Sequence, residues 1–311
     1  MVSLAPILIT GYVNPDLDGV AGMVAYAELL NQHGRPAQVG ILGEPHDEAK
    51  YVLARFKLTT PPSVANADDF SQVILVDASD LIGLEGRVAP EKVIEIIDHR
   101  SVNEADKFPQ AQKQIELVGA AATLVAEKFI QQGLSMSAES AILVYSAIIS
   151  NTLNFKGGVT TERDRAAARW LEQFITVPAN YWRELFLAKS DLSRSKLAER
   201  IEGDFAWLII GDKRVGIAQL EIIGAAELIA NREAEMIMAL TKLKTDLQLD
   251  YIFQNTIELE QQQNYIVASD QSTRQLLEKV LDVSFQGNLA IRDQLIMRKQ
   301  IIPLIKAELT K

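Results

Sequence analysis

Three short apolar runs, at 7–10, 72–76 and 93–97, each stop abruptly at polar residues. The first hands over to Gly11-Tyr12-Val13-Asn14-Pro15-Asp16-Leu17-Asp18-Gly19, the second to Asp77-Ala78-Ser79-Asp80 and the third to Asp98-His99-Arg100. Nearly continuous apolar runs of this length, separated by helical patterns, are strands covered on both faces, which is how a parallel α/β sheet reads. In such folds ligands bind outside the carboxyl ends of the strands. The pattern therefore predicts one sheet edge that collects Asp16, Asp18, Asp77, Asp98 and His99. Two acids two positions apart in a turn offer only acceptor oxygens and suit a hard divalent cation, Mn2+ or Mg2+. The same stretch reads equally well as turn chemistry at Asn-Pro-Asp, with Asp18 capping a helix expected from Val20 to Leu30.

The remaining constraints come from length and composition. A chain of 311 residues exceeds what one core usually organises, and 48% hydrophobic residues supply ample interior for two domains. The absence of cysteine excludes disulfides, thiolate metal sites and a cysteine nucleophile. A net charge of -10 argues against a sequence-independent grip on a nucleic acid duplex, which needs Lys and Arg against phosphates. No apolar run is long enough to span a membrane, and Met1-Val2-Ser3-Leu4-Ala5-Pro6 lacks the basic start of a secretory signal, so a cytoplasmic location is expected. A small anionic substrate in a locally positive, metal-loaded pocket remains compatible with all of this.

Along the chain, Ala37 to Leu42 reads as one short strand and Thr59-Thr60-Pro61-Pro62 as a connection. Helical patterns cover 118–131 and 137–149, and Thr161-Glu162-Arg163-Asp164 has the form of a helix N-cap with first-turn acids. The chain turns polar from Lys189 to Lys196, where a domain boundary is expected. Beyond it, 205–210 and 214–220 form a hairpin candidate across Gly211-Asp212, followed by helix, two strands and helix. His33 and His46 fall in polar turns, and Trp170, Trp182 and Trp207 fall on apolar faces and are expected in the core.

The order and wording of these segments resemble the DHH phosphoesterase superfamily, most closely the manganese-dependent (family II) inorganic pyrophosphatases. The family's Gly-His-x-Asn-Pro-Asp-x-Asp is matched from Gly11 to Asp18, its strand-end Asp by Asp77, and its Asp-His-His by Asp98-His99-Arg100. The glycine-led helix opening resembles Gly119 to Thr123. Ser150-Asn151-Thr152-Leu153-Asn154-Phe155-Lys156 matches Ser-Asp-Thr-Leu-x-Phe-Lys, and Thr161 to Asp164 matches Thr-Glu-x-Asp. Ala188 to Leu192, Gly216 to Gln219 and Arg298 to Pro303 carry the remaining matches, so the resemblance runs nearly end to end.

That resemblance implies a DHH domain over 1–189 with a parallel sheet, a linker over 190–196, and a smaller mixed α/β, DHHA2-like domain over 197–311. It implies a site in the cleft between them, Mn2+ or Mg2+ as one ion or two, and a small phosphate substrate. Metal ligands would be Asp16, Asp18, Asp77 and His99. Asp77, Asp98 and Arg100 would carry catalysis, and Arg298, Lys299 and Arg100 would grip the substrate. A homodimer through the first domain's sheet edge is a further implication. The departures are as informative. Tyr12 stands where the family has a metal-binding His, and its phenol, with an ordinary pKa near ~10, is a poor ligand. Asn151 replaces a metal carboxylate, and Arg100 replaces the His that serves as acid; with a pKa above ~12 an arginine cannot donate that proton, but it can bind phosphate. Where the family brings a lysine from the second domain, this chain reads Glu202-Gly203-Asp204-Phe205. Two readings follow: a metal-dependent phosphohydrolase acting on pyrophosphate or a related phosphoanhydride, or a homologue that has lost this chemistry and serves as a phosphate or nucleotide sensor or partner subunit. A polyphosphatase or nucleotide phosphodiesterase is a third option.

Overall fold

In the computed structural model, which describes residues 5–100, 103–192 and 197–310, the first half of the chain alternates strand and helix. Its elements run β1 (Ile7–Thr10), α1 (Leu17–Gln32), β2 (Ala37–Val39), β3 (Ile41–Leu42), α2 (Asp47–Arg55), β4 (Ser63–Val64) and β5 (Val73–Val76). They continue with β6 (Val93–Asp98), β7 (Gln112–Ile115), α3 (Ala121–Gln132), α4 (Ala138–Asn151), α5 (Glu162–Leu171) and α6 (Tyr181–Lys189). Five strands form a wholly parallel sheet in the order β2-β1-β5-β6-β7. Every residue of β1 and β5 is buried, as strands with helices on both faces must be. The predicted strand from Ala37 to Leu42 is two strands, because the chain leaves the main sheet at Gly40 and β3 pairs instead with β4.

Parallel pairing sets Thr10 beside Leu75 and Val76 beside Ile97, so the ends of β1, β5 and β6 come to one edge. The chain leaving β1 passes very close to β5. A Cβ at Gly11 would lie 2.7 Å from the Val76 carbonyl oxygen, so only glycine fits. α1 is buried on nearly all sides, and each fully buried side chain such as Leu17 or Val20 contributes about 1.5–3 kcal/mol. The cap of α5 is as the sequence predicts: the Thr161 hydroxyl and the Asp164 carboxylate form a capping box. Asp164 is fully buried and also accepts from the Gly119 amide and the Thr123 hydroxyl, tying α5 to the approach of α3.

The second unit has a different architecture. Compact units divide at Met1–Leu185 and Phe186–Lys311, and of the expected linker 190–196, residues 193–196 lie outside the described residues. After α7 (Leu197–Gly203) come β8 (Phe205–Ile210), β9 (Lys213–Ile222), α8 (Ala225–Asp246), β10 (Tyr251–Glu258), β11 (Gln263–Val267), α9 (Gln271–Leu281), β12 (Leu289–Arg292) and α10 (Arg298–Leu309). The sheet is mixed, in the order β12-β11-β10-β9-β8, and only β9 and β10 are parallel. The hairpin expected across Gly211-Asp212 is β8–β9, with Gly211 at φ +63°. Alternate residues of β9 serve two cores. Ala218, Leu220 and Ile222 pack with α7 and α8, while Val215 and Ile217 pack with α9 and α10. Trp207, expected in the core, is instead 44% exposed on β8, where Arg214 lies over its ring. It sits on the edge strand of the sheet, where Ile209 is exposed as well. Among the described residues no helix is long and apolar enough to cross a membrane.

Candidate metal centre

The turn after β1 fixes two acids in different roles. Asp16, rather than Asp18, is the N-cap of α1, its Oδ1 accepting from the Gly19 amide at 3.0 Å. Asp18 points out of the first turn and caps a different helix. Its Oδ2 and Oδ1 accept from the amides of Ala121 and Ala122, both at 2.8 Å, at the start of α3. Those amides are helix-terminal donors without a partner inside their own helix. Asn151, the last residue of α4, donates its amide to Asp18 Oδ2 at 2.7 Å. Buried Glu48 of α2 accepts from the Ser150 hydroxyl and the Leu17 amide, so the starts of α1 and α2 and the end of α4 are pinned together around this acid.

Asp77 follows β5 with φ +57°, a left-handed backbone that Asp tolerates better than most residues but that still carries strain. Its amide donates to Ile97 at the end of β6, which turns the side chain outward from the sheet edge. Both Asp77 and Asp18 are buried. Burial first, and the nearby Asp16 second, push the Asp18 carboxyl up to about 8 and that of Asp77 well above the usual carboxylate range.

His99, one residue past β6, donates from Nδ1 to the Val118 carbonyl at 2.9 Å. In the neutral ring this places the unprotonated nitrogen, Nε2, on the other side, 3.5 Å from Asp77 Oδ1 and 3.7 Å from Asp18 Oδ2. Donor atoms of Asp18, Asp77 and His99 all fall within 4.8 Å of one another. Asp77 Oδ1 is buried and has no hydrogen-bond partner. An acceptor left unmet beside a second lone pair and a second buried acid is costly without a cation and favourable with one. The donor set, one imidazole and two carboxylates with the imidazole oriented by a backbone carbonyl, suits a divalent ion such as Mn2+ or Mg2+.

The other predicted residues divide. Asp98 is fully buried and ties the chain after β6 to the chain after β5, accepting from the Ser79 hydroxyl and from the His99 amide, the latter at 2.7 Å. Arg100 lies with Nη2 3.8 Å from Asp77 Oδ2 and Nε 3.9 Å from Asp98 Oδ1. Its guanidinium stands 4.1 Å from the centroid of the Tyr12 ring, a pairing the sequence did not suggest. Tyr12 donates its hydroxyl to Asp80 at 2.8 Å, and burial above all holds the phenol protonated beyond its ordinary range.

Arg298 and Lys299 belong to the second unit and open α10. Arg298 is engaged within that unit: Nη2 donates to Asp204 Oδ1 at 2.7 Å and Nη1 to the Asp204 carbonyl at 2.9 Å. Its amide donates to the buried Gln219 side chain at 2.7 Å, while Asn255 and Asn264 bind the Ile296 carbonyl just before the helix. Asp204 had no functional reading in the sequence beyond the lysine it lacks. Its pairing joins positions 94 residues apart, and no local signal points to it.

Fold and donor set together define a two-domain α/β protein with a candidate metal-binding group, Asp18, Asp77 and His99, at the carboxyl edge of a parallel sheet. The pattern described as DHH family, N-terminal domain, matches residues 6–148, and that of the DHHA2 domain matches 183–307. The probable manganese-dependent inorganic pyrophosphatase of Exiguobacterium is 31% identical over 99% of this chain and 100% of its own length. The manganese-dependent inorganic pyrophosphatase of Bacillus subtilis is 30% identical, covering 96% of this chain and 97% of its own. A solved Methanococcus jannaschii structure, assigned to the family II inorganic pyrophosphatases, superposes with a TM-score of 0.81 at 26% identity and covers 98% of this chain and 100% of its own. The chain thus belongs to the manganese-dependent inorganic pyrophosphatase family.

Proposed function

We propose that this protein is a divalent-metal-dependent phosphohydrolase that cleaves pyrophosphate or a closely related phosphoanhydride. The observation that carries the reading is the unmet, buried Asp77 Oδ1 beside His99 Nε2 and Asp18 Oδ2. Asp18, Asp77 and His99 would hold Mn2+ or Mg2+, which supplies Lewis acidity toward a phosphoryl oxygen and lowers the pKa of a water. In the overall reaction the water oxygen bonds to phosphorus, the bridging oxygen departs with the electron pair of the broken bond, and the water's protons are released to the products or the solvent. Arg100 offers a permanent positive charge to a phosphate and no proton, so the leaving group must be stabilised by charge or protonated by water. Val118 keeps the imidazole in the tautomer that presents Nε2, and Asp98 keeps the His99–Arg100 segment in register with Asp77. Arg298 and Lys299, at the start of α10, would offer cations for a phosphate anion.

A non-catalytic phosphate sensor is the second reading, and one observation favours it: Tyr12 and Asn151 occupy ligand positions with groups already bonded to Asp80 and Asp18. The deciding experiment is phosphate release from pyrophosphate by metal-stripped protein with Mn2+ or Mg2+ restored. Asp77→Asn is the control, since Asn tolerates the same left-handed backbone. The hydrolase reading expects release that requires metal and falls at least ~100-fold in the variant. Release no greater than that of the variant would favour the sensor.

A further inference from the structure

Asp77 meets a different group at each oxygen. Oδ1 is the unmet acceptor near His99 Nε2, whereas Oδ2 lies 3.8 Å from the Arg100 guanidinium. That guanidinium is fixed from several directions. The Tyr12 ring supports its face at 4.1 Å, Asp98 Oδ1 lies 3.9 Å from its Nε, and the charge of Asp16 adds to the attraction. Gly19 lies beside both acids of this side. A Cβ there would stand 3.7 Å from Asp77 Oδ2 and 3.8 Å from Asp16 Oδ1.

We infer that Arg100 is a resident cation that occupies the Asp16–Asp77 Oδ2 side of the centre, so that this chain binds one divalent ion, between Asp18, Asp77 and His99, and excludes a second. The inference rests on the metal-site reading above. Its physical basis is that a guanidinium cannot be neutralised near pH 7. It already answers the negative charge that would otherwise recruit an ion, and it repels a dication placed beside it. Tyr12 completes the exchange. Its hydroxyl proton is committed to Asp80, and what it turns toward the centre is the face of a ring, which binds a cation of Arg100's shape and offers a metal no ligand. Tyr12 and Arg100 therefore act as one unit, platform and charge.

The test is the number of Mn2+ ions bound per chain by the full-length, metal-stripped protein. It is read by calorimetric titration and by the loss of the free-Mn2+ paramagnetic resonance signal. Wild type is expected to bind one. Arg100→Lys, which keeps the charge, is expected to stay at one, and the double variant Tyr12→His with Arg100→Gln, which removes the charge and adds an imidazole ligand, is expected to bind two. Two ions in wild type would overturn the inference and leave the metal-site reading intact. No ion in wild type would overturn both. A folded double variant that still binds one ion would show that Arg100 is not what excludes the second. If that variant does not fold, the wild-type count decides alone.

Discussion

Asp77 in the first unit and Asp204 in the second both stand at junctions next to strands, and both lie within reach of an arginine. Asp77 is 5% exposed, holds Arg100 no closer than 3.8 Å, and leaves Oδ1 without a partner. Asp204 binds Arg298 at 2.7 Å with its side chain 45% exposed and water at hand. The first arrangement is expensive for an isolated chain and becomes favourable when a cation arrives. The second is already satisfied, so the charge of Arg298 is partly spent within its own unit. A buried group whose hydrogen-bonding capacity goes unused points to a missing ligand, whereas a predicted anion-binding arginine already held by a carboxylate must exchange partners before it can grip a phosphate.

The largest expected effect comes from making the first centre more extreme. Asn151 donates to Asp18 and so does part of a cation's work in the metal-free protein. Asn151→Asp replaces that donor with another carboxyl group, which presses a second acid against Asp18. Leaving a buried acceptor without its donor costs about 1–3 kcal/mol, and at about 2–4 °C per kcal/mol the metal-free protein should melt several degrees lower. With Mn2+ the sign reverses, because an added carboxylate ligand strengthens a divalent site, by roughly tenfold or more in affinity. Melting curves with and without Mn2+ read both halves. A variant that loses stability in metal-free buffer and gains no Mn2+ affinity would place Asn151 outside the metal shell.

A smaller effect is expected in the second unit. Asp204→Asn removes the charge that competes for Arg298 while leaving the Asp204 backbone carbonyl to hold Nη1. Exposed ion pairs of this kind are worth about 0.2–1 kcal/mol, so the KM for pyrophosphate should fall about two- to fivefold with kcat little changed. An unchanged KM would mean that Arg298 stabilises the start of α10 and does not meet the substrate.

The contrast between the units also explains what the sequence disclosed. Buried parallel strands announce themselves as unbroken apolar runs, so β1, β5 and β6 and the acids at their ends could be read directly. β7 could not, because Gln-Lys-Gln-Ile is an edge strand with two exposed residues and no apolar run. β12 is as short, and α10 begins with two cations and carries Pro303 within it, so neither has the local signature of its element. The same limit applies to the site. Residue types at strand ends gave Asp18, Asp77 and His99, but the stacking of Arg100 on Tyr12 and the pairing of Arg298 with Asp204 join segments brought together only by the sheets. Asp18 shows the mechanism plainly. A local reading makes it the cap of its own helix, whereas it caps α3, more than a hundred residues away.

The smallest effect concerns an acid with every need met. Asp270 caps α9, where Oδ1 accepts from the Thr273 amide and the Ser272 hydroxyl and Oδ2 from the Thr273 hydroxyl and the Lys244 ammonium. Burial opposes the charge, but these donors together outweigh it and pull the carboxyl down to about 2. A folded-state pKa below the ordinary value means that the unfolded chain binds more protons through that interval. The stability this group contributes is therefore complete above the unfolded pKa of ~4 and disappears as pH falls toward 2. Asp270→Asn keeps a good N-cap and loses only the charge that Lys244 and the other donors favour, a partly exposed arrangement, so it should cost roughly 0.5 kcal/mol at neutral pH. The gap between wild-type and variant melting temperatures should then close as the pH is lowered from about 5 to 2. A gap that stays constant over that range would mean that the amide fails by shape and not by charge, and that Asp270 is not the satisfied counterpart of Asp77.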